Sequence, residues 1–230
     1  MSSENPKRLL NSHFAALARA LGHEHRLELL EHISQGEWSV EELATRTGLS
    51  IANASQHLHL LRRSGLVSSR KSGKNVLFRL AEGPVFEAVM AIRAVAEHNL
   101  AEVRSVIADY FERPDDMEPV SFAELRERMR DSDFLLLDVR DEAEYRQGHL
   151  PGAIHVPLDS LEASLAHLPL DREIIAYCRG RYCILSLEAV QTLRANGFKS
   201  RRLEEGVAEW KATGGIADTG MQSLSAVSAV

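Results

Sequence analysis

Two cysteines lie five positions apart in the stretch IIAYCRGRYCILSLEAV, and the chain contains no others. Cys178 follows an apolar run typical of a buried strand, and Cys183 precedes a pattern typical of a helix. Near a helix N-terminus, backbone N–H groups and the helix dipole favour a thiolate, as do the charges of Arg179 and Arg181. A thiolate cradled by amides can attack a sulfane sulfur, and the cradle can hold an anionic donor. The stretch therefore predicts a nucleophilic Cys178, with a buried, inert cysteine as the alternative.

Cys183 adds a second thiol to the same loop. If Cys178 takes up a sulfur atom or is oxidised to a sulfenate, Cys183 can close a disulfide and release the modification. In the alternative, Cys183 packs at the helix start or donates a weak S–H hydrogen bond. The two readings differ in the direction of the Cβ atoms, and both stay open.

The elements around this loop predict an α/β domain. Short apolar runs alternate with helical patterns; the runs are FLLLDV at 134–139, AIHVP at 153–157 and EIIAYC at 173–178. Buried strands separated by helices indicate a mostly parallel sheet. In such sheets the functional residues lie beyond the carboxyl ends of the strands, where the cysteine loop falls.

A basic stripe in the first half of the chain is the second functional candidate. Residues 62–81 contain no acidic side chain, and the six basic ones are Arg62, Arg63, Arg70, Lys71, Lys74 and Arg79. Such a stripe suits a polyanion, although a solvated face is the alternative.

The residues before the stripe predict a helix-turn-helix. Ser39 and Glu42 have the spacing of a capping box, Gly48 ends that helix, and Ser50 can cap a second one. In the second helix one apolar face is formed by Ala54, Leu58 and Leu61. The polar side chains placed elsewhere on it are Asn53, Ser55, Gln56 and His59. Amides and hydroxyls of this kind can read base edges in the major groove.

A basic β-hairpin follows. Two β-compatible runs, Leu66–Arg70 and Val76–Leu80, flank a turn at residues 71–74. A hairpin after a helix-turn-helix is a wing, and its cations suit phosphate contacts. The basic candidates for DNA binding are Arg63, Arg70, Lys71 and Lys74.

Composition and a proline-containing linker divide the chain into two predicted domains. The 230 residues carry a net charge of −6, and no apolar run approaches the length of a membrane span. With two cysteines and no signal-peptide pattern, we expect a cytoplasmic protein without membrane association. A long helix, Val85–Phe111, precedes a proline-containing acidic linker at 113–118. The predicted domains are 1–112 and 119–217, and the small, polar tail at 218–230 is typical of disorder.

The first domain resembles the winged-helix repressors of the ArsR/SmtB type. The resemblance covers residues 7–112 and rests on FAALARALGHEHRLELLEHI and on VEELATRTGLSIANASQHLHLLRRSGLVSSRKSGKNVLFRL. It implies a homodimer, paired through its first and last helices, on a pseudo-palindromic operator in double-stranded DNA. The family's arsenic-binding cysteine pair is absent, and His98 with Glu102 departs from its zinc pattern, so we expect neither metal nor cofactor.

The second domain resembles the rhodanese family over residues 119–217. The resemblance rests on the motifs LLLDVRDEAEYRQGHLPGAIHVPL, YCRGRYC and GFKSRRLEEGVAEWKATGG. By position Cys178 is the sulfur-carrying nucleophile and residues 179–183 are its loop. Arg181 and Cys183 stand where thiosulfate-using members have glycine and a hydroxyl residue. The resemblance makes Asp138, Arg140 and Glu144 framework ion-pair residues, and gives His149 and Pro151 a part in closing the pocket.

The sequence thus supports a two-domain hypothesis: a winged helix-turn-helix repressor, mainly α, joined to an α/β rhodanese-like domain. The second domain would sense or transfer reactive sulfur from thiosulfate, polysulfide or persulfide through Cys178. Two alternatives remain. One is an active sulfurtransferase whose DNA-binding half works independently, and the other is an inert rhodanese fold that serves as an interaction module.

Overall fold

A computed structural model describes residues 5–111, 119–130 and 133–220 of the chain. The chain divides into two compact units, Met1–Arg93 and Ala94–Val230. The predicted linker, residues 113–118, lies outside the described residues. The first unit ends earlier than the predicted limit at residue 112, because the segment that follows packs within the second unit. Within that unit the ring of Phe111, for example, meets the ring of Tyr182 edge-on at 5.5 Å between centroids.

The first unit is a helical domain with a small antiparallel sheet. Its elements are α1 (Pro6–Leu21), α2 (Glu24–Gln35), β1 (Trp38–Ser39), α3 (Val40–Thr47), α4 (Ile51–Arg63), β2 (Val67–Ser72) and β3 (Asn75–Leu80). The strand order is β1-β3-β2. Leucines of α2, α3 and α4 form a shared core, in which Leu29, Leu43, Leu58 and Leu61 are all 0% exposed.

Local sequence signals produce the helix-turn-helix as predicted. Ser39 and Glu42 form a reciprocal capping box at the start of α3, and Gly48 ends that helix in the left-handed conformation at φ 65°. The side chain of Ser50 accepts a hydrogen bond from the backbone N–H of Asn53 and caps α4. The short turn between α3 and α4 thus depends on the left-handed conformation of Gly48 and on the Ser50 cap.

The hairpin is also present, with slightly longer strands than predicted. Strands β2 and β3 pair from Val67 opposite Leu80 to Ser72 opposite Asn75, so that only Gly73 and Lys74 form the turn. Gly73 has φ 59°, which a tight two-residue turn requires and which glycine adopts at little cost.

The prediction of one long helix over Val85–Phe111 is wrong. The segment forms α5 (Val85–Asn99) and α6 (Ala101–Tyr110), and Leu100 between them is extended, with φ −103° and ψ 115°. The Asn99 side chain donates to the carbonyl of Val95, and Arg104 donates to two further carbonyls of the last turn. These side chains satisfy backbone groups that a continuous helix would have bonded itself.

The second unit contains the predicted parallel sheet. After α6 its elements are α7 (Phe122–Arg128), β4 (Phe134–Asp138), α8 (Glu142–Gln147), β5 (Ile154–His155), α9 (Leu158–Ser164), a 3-10 turn (Leu165–His167), β6 (Glu173–Tyr177), α10 (Ile184–Ala195), β7 (Ser200–Arg202) and α11 (Val207–Ala212). The strand order is β5-β4-β6-β7, and every pair is parallel. Among the described residues, no helix is long and apolar enough to cross a membrane.

Alternation along the central strands divides the core between the two faces of the sheet. Ile174 and Ala176 of β6 join a cluster with α10, whereas Ile175 and Tyr177 join a cluster with α7 and α11. A sheet buried on both faces leaves its carboxyl-terminal edge as the open side, and the cysteine loop follows β6 at that edge.

A backbone bridge joins His149 to the first residue of the predicted tail, Asp218. The backbone N–H of Asp218 donates to the carbonyl of His149 at 2.9 Å, and the N–H of His149 donates to the carbonyl of Asp218 at 3.0 Å. This two-way bridge fixes Asp218 to the domain. The rest of the predicted tail lies outside the described residues from residue 221 onward.

A buried ion pair lies at the end of β4, next to the loop. Asp138 and Arg140 are both 0% exposed and pair at 2.6 Å. Tyr177 donates to Asp138 at 2.6 Å and accepts from the backbone N–H of Leu150 at 3.0 Å, while Arg140 also donates to the carbonyl of Gly148. Both charges are therefore saturated by hydrogen bonds, which identifies the pair as framework.

We expect Asp138→Asn to lower the free energy of unfolding by about 3–5 kcal/mol, because Arg140 then stays buried without a charged partner. The control is Glu142→Gln, which breaks an exposed ion pair with Arg146 and should cost less than about 0.5 kcal/mol. Urea unfolding followed by circular dichroism measures both. A loss below about 1 kcal/mol for Asp138→Asn would contradict the framework role.

Candidate thiol site and nucleic-acid interface

The two cysteines occupy the two ends of a six-residue loop between β6 and α10. Cys178 directly follows the strand, and Cys183 is the N-cap of α10. The backbone N–H of Cys183 donates to the carbonyl of Gly180 at 3.1 Å, which closes the turn. Gly180 has φ 144°, and a Cβ there would lie 2.8 Å from Oε1 of Glu209, so the turn requires glycine.

Cys178 is more deeply buried than expected. It is 1% exposed, and its Sγ lies 3.2 Å from Oγ of Ser186 and 3.5 Å from the carbonyl oxygen of Cys183. Burial raises the pKa of the Cys178 thiol well above its ordinary value, and the neighbouring Cys183 adds to this effect. Burial of Cys178 in the apolar cluster of β6 and α10 thus opposes the thiolate that the sequence predicts there.

Cys183 is the thiol that the loop activates. A hydrogen bond from the Cys178 thiol lowers the pKa of Cys183 to about 7 despite its burial, with help from the backbone N–H groups of Arg179 and Leu185 and from the Arg179 charge. Both cysteines are free thiols. Because the pKa of Cys178 is raised and that of Cys183 is lowered, Cys183 ionises more readily than Cys178.

Arg179 holds the loop through a buried carboxylate on α8. Its Nε and Nη2 donate to the two oxygens of Glu144 at 2.7 and 2.8 Å, and the Glu144 side chain is 0% exposed. Burial raises the pKa of Glu144 against the opposing effect of Arg179. Although burial opposes the charge, the hydrogen bonds that Arg179 donates to Glu144 keep the pKa of Arg179 above its ordinary value.

Arg181 also contacts carboxylates. Its Nη1 lies 3.4 Å from Glu97 of α5, and its Nε lies 3.2 Å from Glu204. Its carbonyl accepts a hydrogen bond from Arg202 at 2.9 Å. Both loop arginines are therefore paired with acids, and sequence reasoning missed Glu97 and Glu204 as partners of Arg181.

The predicted base-reading side chains lie together on α4. The buried face is as predicted, with Ala54, Leu58 and Leu61 at 0% exposure. The exposed polar residues are Asn53, Ser55, Gln56 and His59. Because α4 carries no acidic residue, this face can approach a polyanion without charge repulsion of its own.

The basic candidates are exposed, but they are not equivalent. Arg63 ends α4, and Lys71 and Lys74 lie in the hairpin; all three are exposed. Arg70 forms a hydrogen-bonded ion pair with Glu37, and the hydrogen bond from Arg70 lowers the pKa of Glu37. The charge of Arg70 is therefore partly compensated. Glu37 precedes the basic stripe by many residues, so a count of neighbouring charges could not reveal it.

Three histidine rings lie together, those of His23 and His25 at the start of α2 and that of His57 on α4. The ring of His23 lies 4.6 Å from His57 and 5.3 Å from His25 between centroids. Burial lowers the pKa of His57, as do the neighbouring His23 and Arg26. Over the described parts of the chain, no group of three or more His, Cys, Asp or Glu side chains is arranged to hold a metal ion.

Comparisons with known proteins match both units. Residues 21–70 match a helix-turn-helix domain model and residues 121–213 a rhodanese-like domain model. The chain is 38% identical over 214 residues to the HTH-type transcriptional regulator Rv0324 of Mycobacterium tuberculosis, covering 93% of this chain and 94% of the relative.

Two further relatives each match one half. The biofilm growth-associated repressor of Agrobacterium fabrum is 38% identical over 89 residues, which are 37% of this chain and 76% of that protein. The putative sulfurtransferase YtwF of Bacillus subtilis is 28% identical over 97 residues, which are 42% of this chain and 92% of that protein. The predicted two-domain organisation is confirmed.

We expect Cys183 to react faster than Cys178 with iodoacetamide, with a rate that rises through a midpoint near pH 7 as the Cys183 thiolate forms. Cys178→Ala removes the S–H donor and should move that midpoint to higher pH. Peptide mapping by mass spectrometry across a pH series measures both rates. Urea-denatured protein is the control, in which the two thiols should react alike; faster labelling of Cys178 in the folded protein would contradict the assignment.

Proposed function

Because the chain belongs to the family of helix-turn-helix transcriptional regulators that carry a C-terminal rhodanese-like domain, we propose that it is a homodimeric DNA-binding repressor whose rhodanese loop senses reactive sulfur. The observation that carries the sensing half is the placement of both cysteines in one loop: Sγ of Cys178 lies 3.5 Å from the carbonyl oxygen of Cys183, and the Cys178 thiol lowers the pKa of Cys183. As a repressor the protein would act in the cytoplasm, where it meets DNA.

DNA binding is supported by two kinds of exposed side chain on the first unit, polar groups and cations. Exposed amide and hydroxyl groups on α4 suit base edges in the major groove, where Gln56 can form two hydrogen bonds to adenine. The exposed cations Arg63, Lys71 and Lys74 flank this face on the helix end and the hairpin, and suit phosphates. Phosphate contacts position the protein and base contacts specify the operator.

Dimerisation is supported by an apolar surface on α1. The exposed side chains are Leu9 at 47%, Leu10 at 55%, Phe14 at 63% and Leu17 at 40%. A run of large apolar side chains on one helix is costly in water and is typical of an interface. A second copy of the chain would cover it and give a two-fold dimer, which fits a pseudo-palindromic operator. The family relative from Agrobacterium fabrum, named a repressor, supports the direction of regulation.

In the proposed reaction, the Cys183 thiolate attacks the sulfane sulfur of a hydropersulfide. The donor S–S bond breaks, the donor thiolate leaves and takes a proton, and Cys183 becomes a persulfide. Cys178 then loses its proton and attacks Sγ of Cys183, which expels hydrosulfide and leaves a Cys178–Cys183 disulfide. The two thiols lose two electrons, and the sulfane sulfur gains them as sulfide. In the reverse order Cys178 would carry the persulfide and Cys183 would resolve it.

The loop contacts supply a route by which this chemistry could change regulation. Arg181 pairs with Glu97 on α5, and the ring of Tyr182 meets Phe111 at the end of α6. A disulfide across the loop would move these two side chains and strain their contacts. A difference of about 1–3 kcal/mol between two states of the regulator suffices for an allosteric response.

A second candidate function is sulfur transfer by a working enzyme. The rhodanese-like fold and the similarity to a putative sulfurtransferase favour it. Turnover of thiosulfate and cyanide to sulfite and thiocyanate, lost in Cys178→Ala, would support an enzyme. Absence of both turnover and persulfide would instead leave the rhodanese fold as an interaction module.

Replacement of Lys71 and Lys74 by Gln should weaken binding to all DNA sequences and reduce the salt dependence by about one unit per lost phosphate contact. Arg70→Gln should have a smaller effect because Glu37 already compensates Arg70. Lys199→Gln, in the other unit, is the control and matches the single charge lost in Arg70→Gln. Gln56→Ala should change sequence preference, worth about 1–3 kcal/mol at one base pair. Fluorescence anisotropy at several salt concentrations measures these effects; unchanged binding would refute the interface.

Polysulfide should weaken operator binding by about 5–150-fold in the wild type, because the modified loop favours the state with lower DNA affinity. Cys183→Ser should remain in the high-affinity state, since it lacks the attacking thiol. Cys178→Ser should still acquire sulfur on Cys183 without forming the disulfide. The measurement is an operator titration with and without polysulfide. Equal affinity under all conditions would reject coupling between the loop and DNA binding.

A further inference from the structure

We propose that the loop accepts sulfur from small persulfides that carry at most one negative charge, and that it discriminates against the dianion thiosulfate. This inference rests on the proposed function, because it names the donor class of the same thiol pair. It departs from the sequence expectation that the loop arginines would hold an anionic donor.

The first support is that neither loop arginine offers an uncompensated charge. Glu144 accepts hydrogen bonds from Arg179 at both of its oxygens, at 2.7 and 2.8 Å, and Asp141 lies 4.0 Å from the same guanidinium. Glu97 and Glu204 lie 3.4 and 3.2 Å from Arg181. A bidentate carboxylate occupies the planar fork that an oxyanion would otherwise use.

The second support is an excess of negative charge around the loop. Glu209 approaches the loop backbone closely, since a Cβ at Gly180 would lie 2.8 Å from its Oε1. The two guanidinium groups meet carboxylates of four residues, namely Asp141, Glu144, Glu97 and Glu204, and Glu209 adds a fifth carboxylate beside the loop backbone. Like charges a few ångströms apart repel strongly where water is partly excluded.

The third support is the charge that each reaction concentrates at the loop. A protein thiolate that attacks the outer sulfur of thiosulfate breaks its S–S bond and expels sulfite, so three negative charges meet at the loop. With a hydropersulfide, the thiolate attacks the terminal sulfur, the donor S–S bond breaks, and a single thiolate leaves and takes a proton. The first reaction needs uncompensated positive charge for its transition state, and the second needs far less.

Three backbone N–H groups at the loop that could bind an oxyanion already have other acceptors. The N–H of Cys183 is already bonded to the carbonyl of Gly180, and the N–H groups of Arg179 and Leu185 face the Cys183 sulfur. These amides stabilise the thiol that reacts. They are accordingly not directed at the oxygens of a donor.

The test compares two sulfur donors on the full-length protein: thiosulfate and the hydropersulfide of 2-mercaptoethanol. The rate at which the protein gains one sulfur atom is followed by mass spectrometry. The variant Glu97→Gln/Glu204→Gln frees Arg181 without altering either thiol. The control Glu127→Gln/Glu162→Gln removes the same charge from exposed positions on α7 and α9.

We expect the hydropersulfide to modify the wild type and thiosulfate to react far more slowly. Glu97→Gln/Glu204→Gln should raise the thiosulfate rate about tenfold and change the hydropersulfide rate by less than about twofold, while the control changes neither. A thiosulfate rate that matches the hydropersulfide rate in the wild type, or that is unaffected by the paired substitution, would overturn the donor class and leave the proposed function intact. If neither donor modifies the protein, the proposed function fails as well.

Discussion

The ion pair between Arg179 and Glu144 is the interaction on which the thiol site depends. Two hydrogen bonds at 2.7 and 2.8 Å join the first residue after Cys178 to a fully buried carboxylate on α8. This anchor fixes the path of the loop, and Cys183 is thereby held where two backbone N–H groups reach its sulfur. Loss of the anchor would leave a buried charge and release both thiols at once.

The two cysteines differ because they occupy different ends of the same loop. Cys178 points into the apolar core beneath the sheet, where a charge is costly. Cys183 caps a helix of 12 residues and meets the amides, the Arg179 charge and the thiol of Cys178. Two thiols in one loop, of which one ionises more readily than the other, suit thiol–disulfide exchange, in which one sulfur attacks and the other resolves.

The sequence predicted what depends on local patterns. Capping residues and periodicity gave α3, α4 and the hairpin, and apolar runs gave β4, β5 and β6, because each signal acts within a few residues. Strand β7 was missed, since the short, polar Ser200–Arg202 pairs only along the edge of a sheet built from distant segments. The break at Leu100, the acids opposite Arg70 and Arg181, and the pairing of Glu144 with Arg179 were missed for the same reason. Charge pairing across the fold is invisible to a linear count, so the sequence predicts uncompensated arginines.

The central claim, that the state of the thiol pair controls DNA binding, can be tested most directly within one sample. Protein treated with a substoichiometric amount of polysulfide is mixed with operator DNA, the bound and free fractions are separated, and each is digested and analysed by mass spectrometry. The account predicts that Cys178–Cys183 disulfide and cysteine persulfide are enriched in the free fraction, while unmodified thiols are enriched in the bound fraction. An equal distribution of modified thiols between the two fractions would contradict it.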